Sequence, residues 1–268
     1  MTDRTPTVQT IAPQPYTTVA ETYDRLGELV TTGLGEKLHH DKADFLTGLW
    51  SDSAPPVESV LELACGTGLM LQELVERGHR VVGLDRSEAM LTQARSRLGP
   101  DVPLLCATLP DIPVDQHFDA VISPGASLNY LTETELAATF RSVAATLRPG
   151  GLFVFDVLSP AGMGGRGGGR VLAGDFDDMA FILAFANSPD GDSYEMTWTQ
   201  FVRMESEAAA PYLKSVEHHQ VYGVGPETIR ASADACGLVE QGVYDNYVFR
   251  PSDDATLVQT WVFRLPGA

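Results

Sequence analysis

The stretch VESVLELACGTGLM, Val57 to Met70, followed by HRVVGLD ending at Asp85, most constrains what this chain can fold into. A short apolar run meets a glycine turn, a helical period follows, and a second apolar run ends on an acid. Two buried strands joined through a helix must lie parallel, because the crossover returns the chain to the same end of the sheet. The rhythm continues downstream. SEAMLTQARSRLG reads as a helix with Ser87 as N-cap and Gly99 past its end. VPLLCA and FDAVISP read as the third and fourth strands. TETELAATFRSVAATLRPGG is a helix opened by a capping box of Thr132 and Glu135 and stopped at Pro149-Gly150. LFVFDVL is a fifth strand. The expected class is α/β, a doubly wound, mostly parallel sheet with helices on both faces.

The flanks read differently. Residues 1–15 are polar and read as a disordered N-terminus without a signal-peptide core. Residues 16–50 follow a helical period, carried by Val19, Tyr23, Leu26 and Val30 and then by Phe45, Leu46 and Trp50. SDSAPP breaks that helix, and residues 51–160 form the α/β core. Within 161–224, FILAFAN and SYEMTWTQFVRME flank the turn SPDGD, and YLKSVEHHQVYGV reads as a third antiparallel strand. Residues 225–268 supply a last helix, GPETIRASADACG, and two strands, LVEQGVYDNYVF and ATLVQTWVFRL. Those two bring the main sheet to seven strands.

Charge and cysteine usage narrow the partners. A formal net charge of −18 argues against a nucleic-acid backbone and would attract an amine, although solubility explains most of it. No apolar run is long enough for a membrane. Three widely spaced cysteines fit a reduced, cytoplasmic setting. The pairs His39-His40 and His218-His219 lack metal-ligand spacing to acids, so no metal is expected.

Two glycine stretches compete as a nucleotide site. GMGGRGGGR, Gly162 to Arg170, contains G-x-G-x-x-G, but no helical period follows it. It reads as a flexible loop, and no NAD binding is expected there. LELACGTGLM has the strand before it and the helix after it. There, Glu62 stands four residues before Gly66 and would repel a pyrophosphate while holding an ammonium. The turn still offers N–H groups to a carboxylate. Asp85, about 20 residues beyond the glycines, is placed to accept from both ribose hydroxyls. Amino acid plus ribose describes S-adenosylmethionine.

VLELACGTG, VVGLD, FDAVISPGASLNYL and LRPGGLFVFDV, in that order, resemble the class I S-adenosylmethionine-dependent methyltransferases, especially the small-molecule amino-sugar and glycine N-methyltransferases. The resemblance implies a seven-stranded sheet whose last strand is antiparallel, N-terminal helices, and an antiparallel β cap insertion. It implies cofactor contacts from Glu62, Ala64, Gly66, Gly68, Asp85, Arg86, Met90 and Ser123, with Thr108 or Leu109 where many members place an acid toward the adenine. N-terminal tyrosines close over the cofactor in such enzymes, which makes Tyr16 and Tyr23 candidates for cofactor binding and catalysis. They share a helix face if the helix extends that far; otherwise they pack it onto the sheet.

Ser127, Asn129, Tyr130, His219 and Tyr247 are candidate acceptor contacts. Asn129 and His218 are candidate catalytic groups, because a histidine can take the acceptor's proton. His218 and His219 face opposite sides of their strand, and packing is the competing explanation for each. The expected activity is methyl transfer to a small-molecule amine nitrogen in specialised metabolism, leaving S-adenosylhomocysteine. Transfer to a phenol or hydroxyl oxygen, and cofactor binding without transfer, remain the alternatives. The cap strands are also a candidate homo-oligomer interface.

Overall fold

A computed structural model describes residues 14–33, 37–51, 53, 56–166, 169–188, 193–204 and 211–267. The expectations for residues 1–13, for most of SPDGD, for part of SDSAPP and for the side chain of Val30 lie outside the described residues.

The main sheet has eight strands. Its parallel part consists of β1 (Ser59–Leu63), β2 (Arg80–Asp85), β3 (Leu104–Cys106), β4 (Phe118–Ser123) and β5 (Leu147–Leu158). At its other end lie β10 (Val239–Asp245), β11 (Val248–Pro251) and β12 (Val258–Arg264). The order is β11-β10-β12-β5-β4-β1-β2-β3, with β12 antiparallel to β5. The eighth strand corrects the reading of LVEQGVYDNYVF as one strand. Asn246 and Tyr247 both adopt left-handed backbone, φ 44° and 57°, and fold that stretch into the hairpin β10–β11.

Helices cover both faces. α2 (His39–Trp50), α3 (Leu69–Glu76) and α4 (Glu88–Leu98) bury Leu46, Trp50, Met70, Leu71 and Leu74 against one face. α5 (Glu133–Thr146) and α7 (Pro226–Asp234) cover the other. There Phe140 meets Phe153, Phe155 and Phe263 edge-on at centroid separations of 5.2, 5.5 and 6.0 Å. The expected capping box forms, with Glu135 N–H donating to Thr132 Oγ1 and Thr132 N–H donating back to Glu135.

The N-terminal segment departs from the expected continuous helix. α1 spans only Tyr23–Gly33, and Tyr16 to Thr22 form a strap of turns that begins with Tyr16 at φ 65°. Left-handed backbone costs a tyrosine roughly 1–2 kcal/mol, so something must hold it there. The holder is Glu217. Its carboxylate accepts from the N–H groups of Tyr16 (2.6 Å), Thr17 (3.0 Å), Thr18 (2.6 Å) and Val19 (3.3 Å), and from Thr18 Oγ1 (2.7 Å).

Glu217 belongs to a second sheet of β6 (Val171–Phe176), β7 (Met179–Asn187), β8 (Ser193–Arg203) and β9 (Tyr212–Tyr222), antiparallel throughout. The last three strands match the sequence expectation; β6 was not anticipated. A Cβ at Gly174 would come within 2.4 Å of the Phe181 ring. The glycine is room for an aromatic side chain on the neighbouring strand. The stretch read as a flexible loop is also partly helical: α6 spans Pro160–Arg166. A Cβ on Gly162 would fall 2.0 Å from the Leu257 carbonyl oxygen, so this glycine permits close packing.

Asp119 ties the sheet's lower edge, accepting from Glu58 N–H (3.1 Å), Ser59 N–H (2.8 Å), Ser59 Oγ (2.7 Å) and Arg148 (2.5 Å). Burial alone would raise its carboxyl, but Arg148 and these donors overcome it and hold the pKa down to about 2. A depressed carboxylate contributes stability above its unfolded value near 4, and loses it as pH falls toward 2. Asp119→Asn should therefore cost about 2 kcal/mol at pH 7. In thermal unfolding, the gap to the wild type should narrow on acidification to pH 3.

Candidate functional site: a crevice and a chamber sharing three tyrosines

β1 and β2 end side by side, which sets the site's floor. Beyond β1 the chain turns through left-handed residues at Ala64 (φ 54°), Gly66 (φ 55°) and Gly68 (φ 81°), and α3 begins. Asp85 fastens this turn. Its Oδ2 accepts from Gly66 N–H and its Oδ1 from Ser87 N–H, each at 2.8 Å. Burial raises its pKa, with the Ser87 and Gly66 N–H groups working in the opposite direction. Glu62 is 2% exposed, and its Oε2 has no hydrogen-bond partner among the described residues. Burial and then the Asp85 charge push its pKa well up, while Lys42 acts against them. A buried, unsatisfied carboxylate oxygen costs stability unless a cation meets it.

Glu62, Ala64, Gly66, Asp85, Arg86, Met90, Thr108, Leu109, Ser127 and Tyr130 line one crevice, with Tyr16 and Tyr23 above them. A second chamber opens beside it under the inner face of the β6–β9 sheet. Its walls are Leu183, Phe185, Tyr194, Met196, Trp198 and Val221, with Lys37, His39 and Lys42 on the helical side. Tyr16, Tyr23, Tyr130, His39 and Gly125 line both spaces. Tyr16 and Tyr23 do meet, with ring centroids 5.7 Å apart, but across the strap rather than along one helix face. Tyr16 carbonyl also accepts from Ser87 Oγ (2.8 Å), which fastens the strap to the N-terminus of α4.

Six expected contacts lie off both spaces. Gly68 turns away from the crevice, and a Cβ there would meet Leu98 (2.9 Å) and Ala94 (3.2 Å), so it permits α3 to pack on α4. Ser123 is fully buried, with Oγ 3.4 Å from the Leu63 carbonyl. Asn129 spends both ends of its amide on backbone, donating to Tyr222 O (2.8 Å) and accepting from Leu158 N–H (3.0 Å). It joins the two sheets. Tyr247 packs against Phe45 at the far hairpin, with Lys42 5.2 Å from its ring centre. His218 points outward to Glu195, 3.1 Å away, on the exposed face. His219 faces inward but lies behind the chamber wall, with Nδ1 3.1 Å from Tyr130 Oη.

Several participants escaped the sequence reading. Lys42 and Asp156 are both buried and 3.4 Å apart, and Asp156 Oδ1 also accepts from Ala126 N–H (2.5 Å). Lys42 looks like an ordinary surface lysine in sequence; only its i, i+3 and i, i+4 relation to Phe45 and Leu46 hints at burial. Glu217 lies on the same face of β9 as His219 and Val221, and Trp198 on the same face of β8 as Tyr194 and Met196.

Comparison with known proteins agrees with this geometry. Residues 60–151 match the methyltransferase domain family. The chain is 34% identical over 160 residues to a putative methyltransferase, YqeM, of Bacillus subtilis, covering 58% of this chain and 65% of that protein. It is 36% identical over 138 residues to the dTDP-3-amino-3,4,6-trideoxy-alpha-D-glucopyranose N,N-dimethyltransferase of Streptomyces venezuelae, covering 51% and 56% of the two chains. The matches thus span about half to two thirds of those curated relatives. The crystal structure of an S-adenosylmethionine-dependent methyltransferase from Clostridium acetobutylicum has the same fold, with a TM-score of 0.80 at 22% identity, over 93% of this chain and 98% of that one. Residues 60–151 form a methyltransferase domain, and the proteins it resembles support S-adenosylmethionine as its cofactor. The chain that carries it resembles the amino-sugar N-methyltransferases.

The residues at the turn fit that cofactor's chemistry. Its ammonium would meet the bare Glu62 oxygen, and its ribose hydroxyls would share Asp85 with the two N–H groups already bound there. Glu62→Gln should weaken S-adenosylmethionine binding at least tenfold by calorimetry, since a charged hydrogen bond is worth about 1.5–3 kcal/mol. Its melting temperature without cofactor should hold or rise, because an unpaired buried charge is removed. Asp85→Ala is a less clean test, as it also frees the Gly66 and Ser87 N–H groups.

Proposed function

We propose that this protein transfers the methyl group of S-adenosylmethionine to an amine nitrogen of a small molecule. The observation that carries the reading is the pairing of the two spaces. The crevice offers Glu62 and Asp85 to a zwitterionic nucleoside, and the chamber meets it at a junction built mainly from three shared tyrosines. The cofactor supplies the electrophilic methyl carbon and the sulfur leaving group. The chain's own residues orient and enclose. Glu62 and the Ala64–Gly66 turn hold the amino-acid end, Asp85 the ribose, and Met90, Thr108 and Leu109 the base. The strap places Tyr16 over the junction, and Phe185, Tyr194 and Trp198 present a dry wall to the acceptor, which keeps water from competing as nucleophile.

Amine rather than oxygen is supported by the relatives, one of which is named for N,N-dimethylation of an amino sugar. A small-molecule acceptor also suits a chamber of this kind beneath a β cap. Among the described residues no helix is long and apolar enough to cross a membrane, and a cytoplasmic place in specialised metabolism fits the reading.

The test is product formation. The full chain, S-adenosylmethionine and a panel comprising a dTDP-3-amino sugar, glycine, a free amino sugar and a catechol should yield S-adenosylhomocysteine with at least one amine and none with the catechol. Turnover of the catechol alone would overturn the choice of nitrogen. Tight cofactor binding with no product from any acceptor would favour a binding role without transfer.

A further inference from the structure

A chain of buried polar groups leads away from the junction of the two spaces. Tyr16 Oη and Tyr130 Oη are 2.7 Å apart, and both rings line both spaces. Tyr130 Oη lies 3.1 Å from His219 Nδ1. On the far side of the same imidazole, Nε2 lies 3.3 Å from Glu217 Oε2, close but not aligned for a hydrogen bond. His219 and Glu217 are both fully buried on the inward face of β9. Glu217 holds the strap through five donors from residues 16–19, and the His219 ring packs edge-on against Tyr16, centroids 4.8 Å apart.

Resting on the amine reading above, we propose that His219, backed by Glu217, is the internal proton acceptor for the acceptor nitrogen, and that Tyr130 carries the proton between them. As the nitrogen lone pair forms the new N–C bond, the C–S bond breaks and its electron pair goes to sulfur, which becomes a neutral thioether. The nitrogen is then cationic and has one proton to lose. That proton passes to Tyr130 Oη as the hydroxyl's own proton passes to His219 Nδ1. The result is imidazolium beside the Glu217 carboxylate, and the proton leaves to water between turnovers. Tyr130 works by exchange, not by ionising: burial raises both its pKa and that of Tyr16 well above the ordinary phenol. Glu217 stays charged: burial raises its pKa, but the adjacent His219 imidazole and the donors of Thr18 and Tyr16 outweigh burial and lower it. His219 touches neither space, so it is a positioning and proton-holding residue that acts through Tyr130.

This assignment requires a particular tautomer, with Nδ1 bare toward Tyr130 and the ring proton on Nε2 toward Glu217. Nitrogen NMR of the full chain, labelled at histidine and saturated with S-adenosylhomocysteine, reads it directly. The His219 signal is identified by its loss in His219→Gln. A proton on Nδ1 would make the ring a donor to Tyr130 and overturn the proposal. In turnover of whichever panel amine the wild type methylates, His219→Gln should lower kcat at least tenfold. KM for S-adenosylmethionine and Kd for S-adenosylhomocysteine should change less than twofold. Tyr130→Phe, which cuts the same path one link earlier, should lower kcat similarly, and the double variant should lose little more. It also serves as the second variant if His219→Gln fails to fold. An unchanged kcat in a folded single variant would refute the relay. If the wild type methylates no amine, the function proposed above fails, and the tautomer alone judges His219.

Discussion

One carboxylate organises the upper half of this molecule. Glu217 draws four consecutive backbone N–H groups and a threonine hydroxyl onto itself, and so bends residues 16–19 back over the sheet. Charged hydrogen bonds of this kind each contribute about 1.5–3 kcal/mol, enough together to offset the left-handed backbone at Tyr16. Gln200 adds to the hold, donating to Thr18 O (2.9 Å) and accepting from Thr22 Oγ1 (2.7 Å). Without this clasp the three tyrosines would have no reason to converge, and the crevice and the chamber would be a single open cleft.

The lower half follows from a different constraint. Five parallel strands buried on both faces leave polar backbone ends only at the edges of the sheet, so the cofactor chemistry collects where β1 and β2 terminate. Asp85 illustrates how one side chain serves fold and site together. It closes the glycine turn through two N–H groups and still faces the crevice. Glu62 plays no such part in the fold: its Oε2 has no hydrogen-bond partner among the described residues. Its bare oxygen is a cost that the folded chain bears in the absence of a cation.

Much of this was legible in the sequence because it rests on local signals. The glycine turn, the Ser87 cap, the Thr132–Glu135 box and the parallel alternation each depend on residues within a few positions of one another. What the sequence concealed depends on distant partners. Gly174 leaves room that Phe181 on the next strand fills. Asn129 and Tyr247 are residue types common in sites; the fold shows both ends of the Asn129 amide bonded to backbone and the Tyr247 ring packed against Phe45. The two adjacent histidines could be separated by parity but not assigned. Whether the odd or the even set faces inward is decided by the β8–β9 register, which sets Met196 opposite His219 and Trp198 opposite Glu217.

The shared tyrosines have a thermodynamic consequence. An occupant of the crevice that stills Tyr16, Tyr23 and Tyr130 also stiffens one wall of the chamber, and the second occupant then loses less freedom on arrival. By reciprocity the acceptor must tighten the nucleoside by the same factor. Two molecules meeting at a reacting atom would in this way favour each other's presence, through side chains that belong to both rooms.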